Sequence, residues 1–292
     1  MPGEGEAMVE ARAEESGIRE FWQQNPCGET LVDQGTEDWA AFFATYDEYR
    51  YRTEGHILGW LDYLNVDGLR VLEIGLGQGA DAEQLIRRGA RWTGIDLTAE
   101  AAARTRRRLE MKGLQFDDVV QGSARSLPFP GASFDLVYSW GVLHHIPEIG
   151  LAQAEIARVL KPGGRLAAML YAKHSLNYWL AITVVRRLAL ILMRLLRPGA
   201  GGIVGGHLAN ARRLGMARYL RLENFIHANT DGPGNPYSKV YEAAEIERDF
   251  DRFDLIETRK DFMHAPPLPV RRLPFGKQLG WHLMALLTKK PA

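Results

Sequence analysis

A short apolar run followed by three closely spaced glycines constrains the fold of this chain more than any other feature. Residues 71–74 read Val-Leu-Glu-Ile, and Gly75, Gly77 and Gly79 follow before a helical pattern begins. Glycines at the end of a strand permit a sharp turn and a close approach of the backbone to a ligand. The pattern predicts a strand, a glycine-rich loop and a helix, which together begin a parallel α/β sheet.

The same alternation of strand and helix continues to residue 171. We predict strands over Arg70–Ile74, Arg91–Ile95, Asp117–Gln121, Phe134–Tyr138 and Arg165–Tyr171. Helical patterns occupy residues 80–88, 99–111 and 151–160. Two late strands, near Asp254–Phe262 and Trp281–Lys289, complete the sheet. The fold class is therefore α/β, with a Rossmann-like, doubly wound, seven-stranded and mostly parallel sheet that carries helices on both faces.

Changes in pattern divide the chain into five parts. We expect a disordered tail over residues 1–17, an aromatic-rich helical lid over 18–66 and a Rossmann-like core over 67–174. A helical insert over 175–240 caps the ligand site, and residues 241–292 supply the closing strands.

Composition excludes several classes of protein. The 36 basic and 36 acidic residues balance, which argues against a nucleic-acid partner bound through its phosphates. The arginines of 104–108 are expected to form a solvated helix face. A single cysteine, Cys27, excludes a disulfide framework and is expected to be a plain thiol in a turn. No basic start leads into an apolar core, so we expect a cytoplasmic protein.

Two carboxylates indicate which ligand the glycine loop binds. Asp96 ends the second predicted strand, where an acid can accept hydrogen bonds from ribose hydroxyls. Glu73 lies two positions before the first glycine, where it would repel a pyrophosphate and favour a cation. The spacing Gly-x-Gly-x-Gly also differs from the Gly-x-Gly-x-x-Gly of nicotinamide enzymes. These features favour S-adenosylmethionine, which carries a sulfonium, an ammonium and a ribose but no phosphate.

Six motifs in order resemble the class I S-adenosylmethionine-dependent methyltransferases, and most of all their small-molecule branch, the type 11 methyltransferases. They are Val71–Gly79, Gly94–Leu97, Leu127–Phe129, Ser133–Val137, Gly141–Ile146 and Val159–Gly164. The resemblance covers about residues 70–171 and implies S-adenosylmethionine as cofactor and S-adenosylhomocysteine as product.

The resemblance also implies cofactor contacts, position by position. Glu73 orients the loop through backbone and ammonium contacts, and the methionine part lies on Gly75, Leu76, Gly77 and Gly79. Asp96 takes the ribose hydroxyls, and Leu97 lies against the adenine. The adenine edge is flanked by Gly122, Ser123 and Ala124, and the sulfonium by Ser139, Trp140 and Gly141. The family often has Asp at position 123, and Ser123 accepts a hydrogen bond more weakly.

The acceptor site is less sharply predicted. The candidates for a catalytic base are His144, His145, His174 and Tyr237, although the two adjacent histidines also fit a packing role. Tyr46, Tyr49 and Tyr51 of the lid fit either core packing or cation–π contact with the sulfonium. Candidate acceptor-binding residues are these three tyrosines together with Trp140, His144 and Tyr237. Histidine spacing predicts no metal site.

These observations predict an enzyme that transfers a methyl group from S-adenosylmethionine to an oxygen, sulfur, nitrogen or carbon atom of a small molecule. One alternative is a methyltransferase of very small thiols such as hydrogen sulfide or methanethiol. Another acts at a membrane surface on a lipid or quinone precursor, with residues 176–197 as a weakly bound amphipathic helix. That helix also fits a cap packed on the core. A fold that binds the cofactor without catalysis is a further alternative. The sequence predicts neither the acceptor nor the oligomeric state.

Overall fold

The carboxyl ends of five parallel strands meet at one edge of the sheet, and this edge carries the site described below. The structure is a computed structural model that describes residues 4–26, 38–196, 199 and 201–291, with side chains from residue 14. Its strands are β1 Arg70–Ile74, β2 Arg91–Asp96, β3 Asp118–Gln121, β4 Phe134–Trp140, β5 Leu160–Ala172, β6 Val240–Tyr241, β7 Phe253–Asp261 and β8 His282–Lys289. The order is β3-β2-β1-β4-β5-β8-β7, with β8 antiparallel to both neighbours. This confirms the predicted Rossmann-like, mostly parallel sheet.

The two-residue strand β6 is an addition that the sequence did not predict. It pairs in parallel with the end of β5, through Tyr171 and Ala172. Strand β5 itself begins at Leu160 and runs through Pro162, so it is longer than we predicted. The earlier start follows from pairing, because Leu160 lies opposite Phe134 of β4.

Helices cover both faces of the sheet and one end of it. They are α1 Glu4–Gln24, α2 Trp39–Glu54, α3 His56–Leu64, α4 Ala80–Arg87, α5 Ala99–Met111, α6 Ile149–Val159, α7 Arg187–Leu196, α8 Gly202–Leu214, α9 Met216–Tyr219, α10 Leu222–Phe225, α11 His227–Thr230, α12 Ala243–Asp249 and α13 Gly276–Leu279. A 3-10 turn covers Leu143–His145, and a π-helix covers Asn177–Arg186. Alternate strand residues, such as Val71 and Leu72, belong to two separate apolar cores. One core includes α3, α4 and α5, and the other includes α6 and α12.

Two of the predictions concern the amino-terminal part of the chain. Helix α1 begins at Glu4, so most of the segment that we expected to be disordered is helical. Its carboxyl-terminal half carries side chains that line the cavity at the edge of the sheet. Cys27 lies outside the described residues.

The arginines of α5 do not all form the solvated face that we predicted. Arg108 is fully buried, and its guanidinium lies 2.5 Å from Asp47 of α2 and 2.9 Å from Glu83 of α4. A buried guanidinium needs carboxylate partners, and these two come from different helices. The correction follows from tertiary packing, which a run of arginines on one helix does not reveal.

A second buried ion pair fixes α2 beside the glycine loop. Arg50 donates three hydrogen bonds of 2.8–3.1 Å to the Asp81 carboxylate on α4. The Tyr138 hydroxyl of β4 donates a further bond of 2.9 Å to Asp81. One carboxylate thus joins a lid helix, the helix after the glycine loop and a central strand.

We predict that Arg50→Met lowers the free energy of unfolding by about 3 kcal/mol, because it leaves the Asp81 carboxylate buried without its cation. Urea unfolding followed by circular dichroism measures the change. Arg52→Met is the matched control on the same helix, since Arg52 pairs with Glu48 at the surface, and its effect should stay within about 0.5 kcal/mol. The double variant R50M/D81N should recover part of the loss. Equal costs for R50M and R52M would contradict the prediction.

Candidate active site

A cavity of about 370 Å³ opens at the carboxyl edge of the sheet, under the first two helices. Its volume lies within the roughly 300–1,000 Å³ of small-molecule sites. Fourteen of the predicted site residues line it, namely Tyr46, Tyr49, Glu73, Gly75, Leu76, Gly77, Asp96, Leu97, Gly122, Ser123, Ala124, Trp140, Gly141 and His145. Residues that lie up to a hundred positions apart in the chain therefore line one cavity at this edge of the sheet.

The loop after β1 has a conformation that requires glycine. Gly75 has a φ of +83°, and a Cβ on it would lie 2.1 Å from Val142 Cγ2. Gly77 has a φ of +52°. The backbone between them donates a hydrogen bond of 2.7 Å from Leu76 N to Asp96 Oδ2. The loop is thereby pinned against the end of the neighbouring strand.

Asp96 is held on both of its carboxylate oxygens. Oδ1 accepts hydrogen bonds of 2.8 Å from both the backbone N and the Oγ1 of Thr98. Thr98 in turn caps α5 by accepting from Ala101 N. The carboxylate thus joins the glycine loop, β2 and the start of α5, and it faces the cavity in a fixed orientation.

Glu73 lies below the loop and is almost fully buried. Its Oε2 accepts a hydrogen bond of 2.8 Å from the Trp92 indole nitrogen. Burial raises the pKa of the Glu73 carboxyl well above its ordinary value, and the nearby Asp81 carboxylate raises it further. We expected Glu73 to orient the loop through backbone contacts. The observed loop contact instead comes from Asp96, and the observed partner of Glu73 is an indole from β2.

Helix α1 forms the outer wall of the cavity through two contacts. Glu15 forms an ion pair with Arg125, which also binds Glu148 at 2.7 Å. Trp22 lies edge-on against His145, with 5.1 Å between ring centroids. Arg125 lies two residues after Ser123, and the Ser123 Oγ accepts a hydrogen bond of 3.1 Å from Arg125 N.

His145 and Asp231 form the most chemically informative pair in the cavity. His145 Nδ1 lies 2.8 Å from the Tyr237 carbonyl, which can only accept a hydrogen bond. Nδ1 therefore carries the proton of the neutral ring, and Nε2 is the free acceptor. Nε2 lies 3.5 Å from Asp231 Oδ2, and both are buried acceptors with no hydrogen-bond donor among the described residues. Asp231 Oδ1 accepts a bond of 2.8 Å from the Tyr171 hydroxyl. A proton or a donor group is the partner that fits between them.

Three of the candidate bases do not line the cavity. His144 is buried behind it against the Tyr171 ring, and burial, then His145 and His282, lower its pKa well below the ordinary value. His174 lies at the surface, with Nε2 2.8 Å from Glu242. Tyr237 presents its carbonyl to His145, while its ring stacks on His227. The roles predicted for His144, His174 and Tyr237 are therefore not supported by the lining of this cavity.

Three other predicted residues support the cavity from behind. The Tyr51 hydroxyl donates a hydrogen bond of 3.1 Å to Ala80 O, and Tyr51 is not part of the cavity lining. Ser139 Oγ donates to Ile74 O at 3.0 Å across β4 and β1. Gly79 starts α4 at a φ of +72°, with Thr105 directly against it.

Sequence reasoning missed several residues of the cavity. Asp231, Tyr171 and Trp22 line it, and none of them belongs to a motif. His282 also lines it, and its Nδ1 lies 3.0 Å from His56 Nε2. Pairing of β8 with β5 brings His282 opposite Tyr171, a contact that only the sheet order reveals.

We predict that Glu73→Gln stabilises the protein at pH 8. The raised pKa means that the folded state holds the proton more tightly than the unfolded state does, so stability falls as pH rises above about 4. Glutamine keeps an acceptor for Trp92 and removes the charge, so the variant should need more urea than wild type to unfold at pH 8. The gain should shrink towards pH 4. Urea unfolding at both pH values tests this, with the exposed Glu48→Gln as control, and an equal gain at both would contradict it.

Comparison with known proteins agrees with this geometry. The family model of a methyltransferase domain matches residues 72–168. The fatty-acid O-methyltransferase of Mycolicibacterium smegmatis is 44% identical over 102 residues, which cover 34% of this chain and 36% of that enzyme. The chain thus spans little more than a third of that relative's length.

Two further proteins match over most of the chain. The ubiquinone biosynthesis O-methyltransferase of Thiobacillus denitrificans is 31% identical over 206 residues, covering 70% of this chain and 84% of the enzyme. A solved structure of an S-adenosylmethionine-dependent methyltransferase from Aquifex aeolicus aligns with a TM-score of 0.51 at 14% identity, over 87% of this chain and 100% of that one. That likeness supports the fold. With the glycine loop, Asp96 and the sheet order in place, the chain belongs to the class I S-adenosylmethionine-dependent methyltransferases.

Proposed function

We propose that this protein transfers a methyl group from S-adenosylmethionine to an oxygen atom of an apolar small molecule. The observation that carries the proposal is the single cavity that joins the glycine loop and Asp96 to a free histidine nitrogen beneath aromatic lid residues. The fatty-acid and ubiquinone-pathway relatives, both O-methyltransferases by name, support oxygen as the methylated atom.

The charges of the cavity fit the cofactor. Glu73, Asp81 and Asp96 line it, and a cationic ligand with a ribose is compatible with all three. The three arginines of the lining, Arg50, Arg104 and Arg125, all pair with carboxylates, so they do not favour a phosphate. Bound there, S-adenosylmethionine supplies a methyl group on a positively charged sulfur.

The acceptor side of the cavity is apolar and aromatic. Ile18 and Trp22 come from α1, Tyr46 and Tyr49 from α2, and Met169 from β5. Such a lining favours a hydrocarbon or ring and excludes water from the transfer. Since Tyr46 and Tyr49 are aromatic, they also suit the neighbourhood of a sulfonium.

His145 is the residue we propose as general base. Its Nε2 is unprotonated in the neutral ring and takes the proton of the acceptor hydroxyl, while Nδ1 stays bonded to the Tyr237 carbonyl. Asp231, 3.5 Å away, stabilises the imidazolium that forms. A carboxyl acceptor, already ionised at neutral pH, would need orientation but no base.

A very small thiol remains the second acceptor class to test. A thiol ionises at lower pH than an alcohol and therefore needs less help from a base. The aromatic wall and the His145–Asp231 pair favour an oxygen acceptor over it, so the acceptor panel should contain both.

We predict that S-adenosylhomocysteine binds the wild-type protein and that Asp96→Ala weakens this binding about 10- to 100-fold. The loss corresponds to hydrogen bonds between a carboxylate and ribose hydroxyls. Isothermal titration calorimetry measures it. Asp118→Ala, on the neighbouring strand and outside the cavity, is the control and should bind as wild type. Binding by Asp96→Ala within twofold of wild type would refute the ribose role, and absent wild-type binding would refute the cofactor.

We predict that His145→Ala lowers turnover of a hydroxyl acceptor about 10²- to 10⁴-fold with little change in cofactor affinity, because the variant loses the base. Mass spectrometry of products from a panel of fatty acids, catechols, quinols and small thiols identifies the acceptor as the one that gains a methylene's mass. His174→Ala is the control, since His174 lies outside the cavity. Unchanged turnover in His145→Ala would remove His145 as base.

A further inference from the structure

The helical insert after β5 concentrates positive charge in a chain that is neutral overall. Residues 174–222 contain eight arginines and neither aspartate nor glutamate. The chain as a whole has 36 residues of each sign. A segment this one-sided in charge attracts anionic surfaces and repels cationic ones.

The same insert exposes a continuous row of large apolar side chains. We call the row the apolar face, and it consists of Trp179, Leu180, Val184, Leu188, Ile191, Leu192, Leu195 and Leu196 on the π-helix and α7. Steps of three and four residues place most of them on one side of the helices. Leu188 is 62% exposed and Leu195 is 74% exposed, whereas Leu190 of the same helix is buried. Contiguous apolar surface of this kind marks a docking site.

The helices that carry the apolar face are fixed to the core. Arg186, at the end of the π-helix, donates hydrogen bonds to the carbonyl oxygens of Asn229 and Pro266 at 2.5 and 2.8 Å, and to Asn177 Oδ1 at 3.0 Å. Ala181 and Ile182 are fully buried on the opposite side. The apolar face is therefore held outward.

We infer that the apolar face docks the protein onto the surface of an anionic lipid bilayer. Within the described residues, no helix has both the length and the apolar character to cross a bilayer. An amphipathic helix with arginines beside its apolar face lies in the plane of the lipid headgroups instead. Arg187 and Arg194 are each adjacent in sequence to a residue of the face, Leu188 and Leu195, where they meet lipid phosphates.

Charge argues for lipid over a second copy of this chain. A twofold interface would bring the arginine-rich insert of one protomer against that of the other. With no acidic residue between 174 and 222, such an interface has no local partners for these cations. Lipid phosphates supply them.

The test is flotation of the full-length protein with vesicles, at moderate salt and without cofactor or acceptor. We expect at least tenfold tighter binding to vesicles of phosphatidylglycerol and phosphatidylcholine than to phosphatidylcholine alone. We expect this preference to weaken as salt rises. Absent binding to the anionic vesicles, or equal binding to both kinds, overturns the inference. The inference does not rest on methyl transfer, so its failure and that of the proposed function are separate results.

Variants identify the surface. The triple variant Leu188→Gln, Leu192→Gln, Leu195→Gln should lose vesicle binding, because all three side chains are exposed and belong to the apolar face. The matched control is Leu151→Gln, Ile256→Gln, which changes two residues of 51% exposure on other elements. Wild-type binding by the triple variant, or loss in the control as well, overturns the assignment.

Charge variants and oligomeric state complete the test. Arg187→Gln and Arg194→Gln should each weaken binding to anionic vesicles about fivefold, the effect of one basic residue near a charged surface. Arg91→Gln, exposed on β2, is the control. Light scattering without vesicles measures the molecular mass. A dimer that the triple variant dissociates would identify the face as a contact between copies and overturn the inference.

Discussion

The Asp81 carboxylate is the junction on which the cavity depends. It accepts hydrogen bonds from Arg50 of the lid and from Tyr138 of β4. Asp81 itself belongs to α4, which starts at the glycine loop. An ion pair buried among three elements contributes geometry as much as stability, since its partners tolerate few other arrangements. Both Arg50 and Asp81 line the cavity, so the contact that orders the lid also sets its electrostatics. Glu73 and Asp96 add two further carboxyl groups to the wall, and such a lining fits a cationic ligand better than a phosphate.

The part of the cavity around His145 depends on a second constraint, the fixed tautomer of that ring. Because the Tyr237 carbonyl holds Nδ1, the other nitrogen is directed to Asp231, which is itself held by Tyr171. Two buried acceptors that face each other at 3.5 Å are unfavourable until a proton lies between them. A ligand that donates a hydrogen bond would satisfy this pair, and Trp22 of α1 lies against the His145 ring.

The sequence predicted the parts of the site that depend on local chemistry. Gly75, Gly77 and Asp96 could be predicted because a strand end, a turn and an acid follow each other at short range, and the parallel strands followed from their alternation with helices. Asp231 and His282 could not, because they reach the cavity only through the insert and through the antiparallel strand β8. The roles expected of Glu73 and Arg108 also changed, since burial and partners from other helices decide what a charged side chain does. Sequence patterns thus predict backbone turns better than they predict which side chains contact each other.

The insert connects the apolar face to the cavity. The chain leaves the core after Tyr171, forms the helices that carry the apolar face, and returns at Asp231, and these two residues are hydrogen-bonded to each other in the cavity wall. Arg186 ties the first helix of the insert to Asn229, two residues before Asp231. A short path of hydrogen bonds therefore joins the helices that carry the apolar face to the carboxylate opposite His145. The surface that we propose for lipid contact and the histidine that we propose as base thus belong to one structural unit.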